Sequence, residues 1–184
     1  MKEMFKIVGV LTSVCIICAF FLSFANSTTK VKIELNAKTK IENAIAILAP
    51  ATSSIKKVAF DGGTLYQLSN NQKKLLGFAF LAQGQGYQGL IKILTVINPS
   101  LGKLEGIEIV ESVETPGLGA KIIEEGFKSQ FQNLNVSDKI LCIKDDLSQN
   151  NQIKAITGAT VSSMAVANIL NKKIAKLREM LRSK

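Results

Sequence analysis

The sequence predicts an α+β fold, with an N-terminal transmembrane helix followed by one domain in which helices pack on an antiparallel sheet. Three observations predict it. Residues 7–24 are an apolar run without a charge. The middle of the chain alternates β-branched segments with short turns, which is typical of strands joined by hairpins. Near the end, apolar residues recur at spacings of three and four, which indicates an amphipathic helix lying on the sheet.

The apolar run 7–24 just reaches the length of about 20 residues that a helix needs to span a bilayer. Lys2 and Lys6 precede it, so the positive-inside rule predicts a cytoplasmic N-terminus and an exported remainder. A cleaved signal peptide is the alternative, because Ser-Phe-Ala at 23–25 is an acceptable cleavage site. The run is longer than a usual signal core, which favours a retained anchor. Both interpretations export the domain.

Composition excludes several classes of protein. The net charge is +9, but the basic residues are scattered and not interleaved with aromatic ones, so no nucleic acid partner is predicted. The chain has no histidine, which excludes histidine-based triads and histidine-ligated zinc or haem. No metal site is predicted. Cys15 and Cys18 spell C-x-x-C within the apolar run, where small packing residues are the simplest interpretation. Cys142 alone lies in the domain, so no disulfide forms within it.

The elements before and within the sheet follow in chain order. A helix over 38–48 ends before Pro50 and is expected to dock on the domain. Strands are predicted over 56–60, 64–68, 75–81, 90–97 and 104–110, with turns at 61–63, 69–71 and 98–102. A short helical passage at 121–131 and a strand at 139–143 come next. We therefore expect a cytoplasmic tip and anchor at 1–25, a linker and docking helix at 26–50, and the domain at 51–184.

The last helix has a predicted apolar face of Met164, Ala167, Leu170, Ile174, Leu177 and Leu181. Small and hydroxyl residues stand just before and at its start: Thr157, Gly158, Ala159, Thr160, Val161, Ser162 and Ser163. The N–H groups at a helix start have no intrahelical partners, and the helix dipole favours an anion there. The segment therefore predicts a phosphate site, with an ordinary helix cap as the alternative.

Two further segments are candidates for the rest of a binding site. Residues 84–89 spell G-x-G-x-x-G, but a strand is predicted after them and not the helix that a dinucleotide fingerprint requires. A glycine-rich hairpin is predicted instead, with Tyr87 placed to lie against a planar ligand. A Pro-Gly loop could present backbone amides and an apolar side chain to a flat ring, with an ordinary turn as the alternative. Its residues are Glu114, Thr115, Pro116, Gly117, Leu118 and Gly119.

Together these segments resemble one family over nearly the whole chain. The order is a membrane helix, Gly-Tyr-x-Gly at 86–89, Glu-Thr-Pro-Gly-Leu-Gly at 114–119 and Thr-Gly-Ala-Thr-x-Ser-Ser at 157–163. This is similar to the FMN-binding G subunit of the Rnf ion-translocating electron transport complex. It is also similar to a paralogue, the C subunit of the sodium-pumping NADH:quinone reductase. The short length suits the Rnf family better.

The resemblance implies an FMN cofactor joined through its phosphate to Thr160 by a separate flavin transferase that uses FAD as donor. The N–H groups of 161–163 are then expected to bind the phosphate. The flavin ring would lie against the 114–119 loop and near Tyr87. Lys144 is a candidate for the flavin N1/C2-carbonyl edge, with a surface lysine as the alternative. The family commonly has an aspartate six residues before the threonine, where this chain has Lys154.

The implied function is that of an electron carrier, without catalytic residues of its own, in a membrane complex that couples ferredoxin and NAD redox chemistry to Na⁺ or H⁺ translocation. The expected location is the cell membrane, with a single span and the FMN domain outside the cytoplasm. Expected partners are the other subunits, the flavin transferase and membrane lipid. A membrane-tethered FMN-binding sensory or binding module without electron-transfer partners is the alternative from another class.

Overall fold

The computed structural model describes residues 2–60 and 63–182, which divide into two compact units, Met1–Lys40 and Ile41–Lys184. The first helix, α1, covers Lys2–Leu48. Within it, Met4–Asn26 is long and apolar enough to cross a membrane, with a mean hydropathy of 2.6. Helix α1 continues through residues 26–29, which the sequence assigned to a linker. No proline or glycine stands between Gly9 and Pro50, so nothing in that stretch forces a helix to end.

Five strands form an antiparallel sheet in chain order, which confirms the predicted α+β class. The strands are β1 (Ser54–Phe60), β2 (Gly63–Ser69), β3 (Leu75–Gln85), β4 (Leu90–Ile97) and β5 (Leu104–Ser112). Each pairs with its neighbour in sequence through a short connection, as the turn residues predicted. Residues 61 and 62 of the predicted turn at 61–63 lie outside the described residues.

The elements after the sheet are short until the last helix. The predicted helical passage is a 3-10 turn at Gly119–Ile123, one turn of helix α2 at Glu125–Lys128 and a second 3-10 turn at Ser129–Phe131. Strand β6 (Leu141–Ile143) pairs in parallel with β7 (Gln152–Lys154), a strand that the sequence did not predict. Helix α3 covers Thr160–Arg182. The β6–β7 pair fixes the chain just before the start of α3.

One face of the sheet packs against α3. Phe80 of β3 and Ile93 of β4 are fully buried in a cluster with Leu170 and Ile174 of α3. This arrangement agrees with the predicted apolar face of α3, except that Met164 is 46% exposed. The first turn of α3 buries Ser162 and Ser163 instead, because that turn lies over polar loops and not over the sheet.

The other face of the sheet is covered by the last turns of α1. Ala44 and Ile45 are buried in a second cluster with Leu68, Ala79, Leu94 and Val96. Strand β4 therefore alternates, with Ile91, Ile93 and Ile97 on the α3 face and Leu94 and Val96 on the α1 face. Burial on both faces explains why β4 has the most apolar sequence of the five strands.

Replacing Thr95 with valine is expected to stabilise the protein. Thr95 is fully buried in β4, and no described residue hydrogen-bonds to its Oγ1 atom. A buried hydroxyl without a partner is destabilising, so the nearly isosteric valine should raise the free energy of unfolding by about 1 kcal/mol. Chemical denaturation of the full chain in detergent measures this, with Thr64→Val on half-buried β2 as the control. A loss of stability at Thr95 alone would show that the hydroxyl has a partner in solution.

Candidate functional site

A pocket of about 390 Å³ lies where the β3–β4 turn, the loop after β5 and the start of α3 meet. The residues that line it are Tyr87, Thr115, Leu118, Gly119, Gly158, Ala159, Thr160, Val161 and Ser162. All of them belong to the three segments that the sequence singled out. The volume falls within the range of small-molecule sites, roughly 300–1,000 Å³. The structure thus brings residues from all three motifs to one pocket.

The β3–β4 hairpin positions Tyr87. Gln85 pairs with Leu90 across the hairpin, and the turn closes with a 2.7 Å hydrogen bond from the Gly86 N–H to the Gly89 carbonyl. Because a strand follows these glycines, the segment is not a dinucleotide-binding turn. Tyr87 at the tip is 70% exposed, so its ring is accessible to a planar ligand.

The loop after β5 is folded back on itself. The Thr115 carbonyl accepts hydrogen bonds from the N–H groups of Leu118 at 3.2 Å and Ala120 at 3.1 Å. Gly117 has a φ of +75°, a conformation that favours glycine. The Leu118 side chain is half exposed and lies close to the start of α3, since a Cβ atom on Gly158 would come within 3.6 Å of Leu118 Cδ2. Leu118 therefore forms an apolar wall of the pocket.

The start of α3 offers N–H groups to the pocket. The first intrahelical bond runs from the Ser163 N–H to the Ala159 carbonyl at 2.9 Å. Within residues 2–60 and 63–182, no acceptor pairs with the N–H groups of Thr160, Val161 or Ser162. Together with the helix dipole, three such donors form an anion site. The half-buried Thr160 is the first residue of α3, so its side chain stands at this site.

The prediction that the Ser163 N–H binds the phosphate is wrong, because that N–H makes the first helical bond to Ala159, and both serine hydroxyls of the segment are also engaged elsewhere. The Ser163 hydroxyl is fully buried, donates to the Ala159 carbonyl at 3.0 Å and accepts from the Ile156 N–H at 3.1 Å. It therefore stabilises the turn before α3. The Ser162 hydroxyl donates to Glu114 Oε2 at 2.6 Å. The N–H groups of Thr160, Val161 and Ser162 therefore remain to bind an anion at this helix start, beside the Thr160 side chain.

The remaining candidates lie around the pocket and do not line it. Glu114 is 6% exposed and lies beneath the loop. Pro116, Gly117 and Thr157 are exposed next to lining residues. Lys144 is exposed after the end of β6 and is not among the residues that line the pocket. The structure does not bring Lys144 to the other candidates.

Lys154 occupies the end of β7. Its N–H donates to Gln130 Oε1 at 2.6 Å, and its Nζ atom binds Asp146 Oδ1 at 2.8 Å. The hydrogen bond to Asp146 and the charge of that carboxylate raise the pKa of Lys154, and the same contact lowers the pKa of Asp146. The lysine is thus paired with a nearby carboxylate at the position where the resembled family commonly has an acid.

Sequence reasoning missed a groove of about 660 Å³ that adjoins the pocket at Val161. It lies between β3 and α3, and its walls include Gln85, Met164, Asn168 and Lys172. The exposed Met164 is the signal that could have found it, but helical spacing assigned that residue to the core. Sequence reasoning also missed Gln88, whose N–H donates to Glu114 Oε1 at 3.0 Å.

The comparisons with known proteins concern the region that contains this pocket and most of the chain's length. Residues 86–175, which contain all three motifs, match the FMN-binding domain family. The G subunit of an ion-translocating oxidoreductase complex from Methanosarcina acetivorans is 26% identical over 92% of both chains. The G subunit of the proton-translocating ferredoxin:NAD⁺ oxidoreductase complex from Clostridium ljungdahlii is 29% identical over 90% of this chain and 86% of that protein.

Solved structures share the fold. The crystal structure of Shewanella oneidensis NqrC superposes with a TM-score of 0.59 and 14% identity over 74% of each chain. The pocket has the size for a small ligand, apolar side chains for a flat ring and N–H donors for a phosphate, so its residues fit FMN. The chain therefore contains an FMN-binding domain and is a homologue of the G subunits of ion-translocating oxidoreductase complexes.

Proposed function

We propose that this chain is the electron-carrier subunit of a membrane complex and holds FMN bonded through its phosphate to Thr160. The observation that carries the proposal is the pocket at the start of α3, where Thr160 stands beside three N–H groups without an acceptor in the described chain. The relatives supply the context, since they are named as subunits of ion-translocating oxidoreductase complexes.

The phosphate end of FMN suits the start of α3. A phosphodiester keeps one negative charge, which the helix dipole and the N–H groups of 160–162 stabilise without a basic side chain. Gly158 and Ala159 leave room beside Thr160, because neither carries a bulky side chain. Gly158 also has a φ of +82°, which sets the direction of the chain into the helix and disfavours any residue with a Cβ atom.

The flavin ring of FMN suits the apolar side chains that line the pocket. Tyr87, Leu118 and Val161 line the pocket and are each more than half exposed. Exposed apolar side chains grouped around one pocket are typical of a ligand site. A flavin ring against them would remove their apolar surface from water. FMN supplies the electron-transfer chemistry, and these residues hold and orient it.

Attachment requires a transferase of the kind that the resemblance implies. With FAD as donor, the Thr160 Oγ1 atom forms a bond to the phosphorus of the FMN half, and the diphosphate P–O bond breaks. AMP leaves, and the hydroxyl proton passes to solvent. No oxidant or reductant is needed. A covalent bond suits an exported domain, because FMN held only by contacts would be lost by dilution outside the cell.

The expected topology places the FMN domain outside the cytoplasm, with the apolar segment Met4–Asn26 of α1 in the cell membrane. Membrane lipid and the other subunits are then the partners of α1. Labelling with a membrane-impermeant maleimide in intact cells tests this, with Ser53→Cys as the new exposed cysteine in a chain that also carries Cys15→Ser, Cys18→Ser and Cys142→Ser. We expect labelling without lysis. Labelling only after lysis would place the domain in the cytoplasm.

For this chain, the role of a G subunit of an Rnf-type complex is favoured over that of the C subunit of a sodium-translocating NADH:quinone reductase. The relatives that align with this chain over most of both lengths bear the name of the G subunit. At 14% identity, the likeness to NqrC concerns the fold alone. A membrane-tethered FMN-binding sensory module shares the pocket but lacks electron-transfer partners, and the redox experiment separates it from a carrier.

The experiment follows the bound flavin in membranes that contain the whole complex. Reduced ferredoxin is added to vesicles with the wild-type chain or the Thr160→Ala chain, and flavin absorbance is recorded. We expect reduced ferredoxin to bleach the flavin absorbance and NAD⁺ to restore it. The part of this absorbance change that comes from the flavin on Thr160 should be missing in the Thr160→Ala membranes. If the flavin on this chain stays oxidised while the complex turns over, the chain is not a carrier, and the sensory module is favoured.

A further inference from the structure

The carboxylate of Glu114 connects the three segments that form the pocket. Glu114 belongs to the loop after β5, and its Oε2 atom accepts the Ser162 hydroxyl of α3 at 2.6 Å. Its Oε1 atom accepts the Gln88 N–H of the β3–β4 turn at 3.0 Å. Both partners are donors, which is the arrangement that an ionised carboxylate requires. One buried side chain therefore ties the hairpin, the loop and the helix together.

Two glycines make room for this carboxylate. A Cβ atom on Gly86 would come within 2.2 Å of Glu114 Oε1, and one on Gly119 would come within 2.3 Å of Glu114 Oε2. Neither glycine is among the residues with a positive φ, so backbone conformation does not explain them. The atoms nearest to both Cβ positions are the Glu114 carboxylate oxygens, followed by Ile91 Cδ1 at 2.6 Å for Gly86 and Ser162 Oγ at 2.7 Å for Gly119. A glycine from the hairpin motif and one from the loop motif thus serve the same carboxylate.

We infer that Glu114 is the positioning residue of the FMN pocket: it holds the hairpin, the loop and the start of α3 in place, and it keeps the Ser162 hydroxyl from the phosphate. The flavin part of this inference rests on the proposed function. Because a Glu114 oxygen lies 2.6 Å from a pocket-lining residue, its negative charge also opposes negative charge added to the ring. Glu114 therefore lowers the reduction potential of the flavin without touching it.

A double-mutant cycle on flavin-free protein tests the positioning. Gly119→Ala should destabilise the wild-type chain, because the new methyl group meets Glu114 Oε2. The methyl group would also come within 2.7 Å of Ser162 Oγ, an atom that Glu114 holds in place through their hydrogen bond. In a Glu114→Ala chain the Ser162 hydroxyl is released and can turn away, so the same change should cost less, which gives a coupling of about tenfold in the unfolding equilibrium constant. Should Glu114→Ala not fold, Glu114→Asp, with its shorter side chain, serves as the background. Additive effects would overturn the inference.

Potentiometry of the flavin-loaded full chain tests the charge. Glu114→Gln keeps the size and the Gln88 contact but removes the charge, so the potential should shift in the positive direction with flavin content retained. Glu111→Gln is the matched control, because Glu111 is exposed on β5, three residues before Glu114, and pairs with Lys92. It should leave the potential unchanged. Glu114→Asp keeps the charge but cannot reach both partners, so the flavin should become more accessible to a soluble quencher without a positive shift.

Equal potentials in wild-type and Glu114→Gln protein would overturn the role of the charge. Unchanged quenching in Glu114→Asp protein would overturn the role of the side-chain reach. Failure of the proposed function is distinguishable from both, because wild-type protein would then carry no FMN. In that case the cycle on flavin-free protein alone decides whether Glu114 positions the three segments.

Discussion

The Thr160→Ala chain is expected to fold and to carry no flavin that survives denaturation. Alanine lacks the hydroxyl oxygen that the phosphoester needs, while alanine at the first position of α3 suits a helix. Stability should therefore change by less than about 0.5 kcal/mol. The measurement is the fluorescence of the protein band on a denaturing gel, after the full chain is produced together with a flavin transferase.

The neighbouring Thr115 provides the control, because it lines the same pocket and is the same residue type. Thr115→Ala should keep the fluorescent band. Thr160→Ser should keep part of it, since a hydroxyl is still present. A fluorescent band in Thr160→Ala protein, or a dark band in the wild type, would contradict the proposed attachment.

Replacing Phe80 with alanine is expected to lower the free energy of unfolding by about 3–5 kcal/mol. Phe80 of β3 is fully buried on the sheet face that packs against α3, and it pairs with Thr95 of β4 in the sheet. Removing the ring leaves a cavity under the helix whose first turn forms the pocket. Chemical denaturation of the full chain in detergent measures the loss.

An apolar side chain of the same sheet serves as the control for Phe80. Ile55 of β1 is 45% exposed, so Ile55→Ala should cost much less than Phe80→Ala. Equal losses at both positions would mean that the α3 face of the sheet is not the main core. The burial of Phe80 and Ile93 together with Leu170 and Ile174 would then not be the main source of stability.

Local patterns were sufficient for most of the fold. Strand β4 has the β-branched sequence of a strand buried on both faces, and α3 has helical spacing at Ala167, Leu170 and Ile174. Strand β7 was missed because three residues carry no period, and its parallel pairing with β6 is a tertiary contact. The polar residues 26–29 suggested a linker, but polarity alone does not end a helix.

The candidate site was predictable in its motifs but not in the roles of its polar side chains. The motifs contain Thr160, Leu118 and Tyr87, and the structure places all three on one pocket. The partners of a hydroxyl or a carboxylate depend on the tertiary fold, so no pattern indicated that Ser162 donates to Glu114. For the same reason the sequence could not place Lys144, which the structure does not bring to the pocket.

The attachment site is tested most directly by peptide mapping of the flavin-loaded wild-type chain. Trypsin is expected to cut after Lys154 and Lys172 and to release residues 155–172, which contain every hydroxyl residue of the Thr-Gly-Ala-Thr-Val-Ser-Ser segment. Fragmentation in a mass spectrometer then locates the added group. We predict one FMN on this peptide, assigned to Thr160. FMN on another hydroxyl residue, on another peptide or on none would contradict the account.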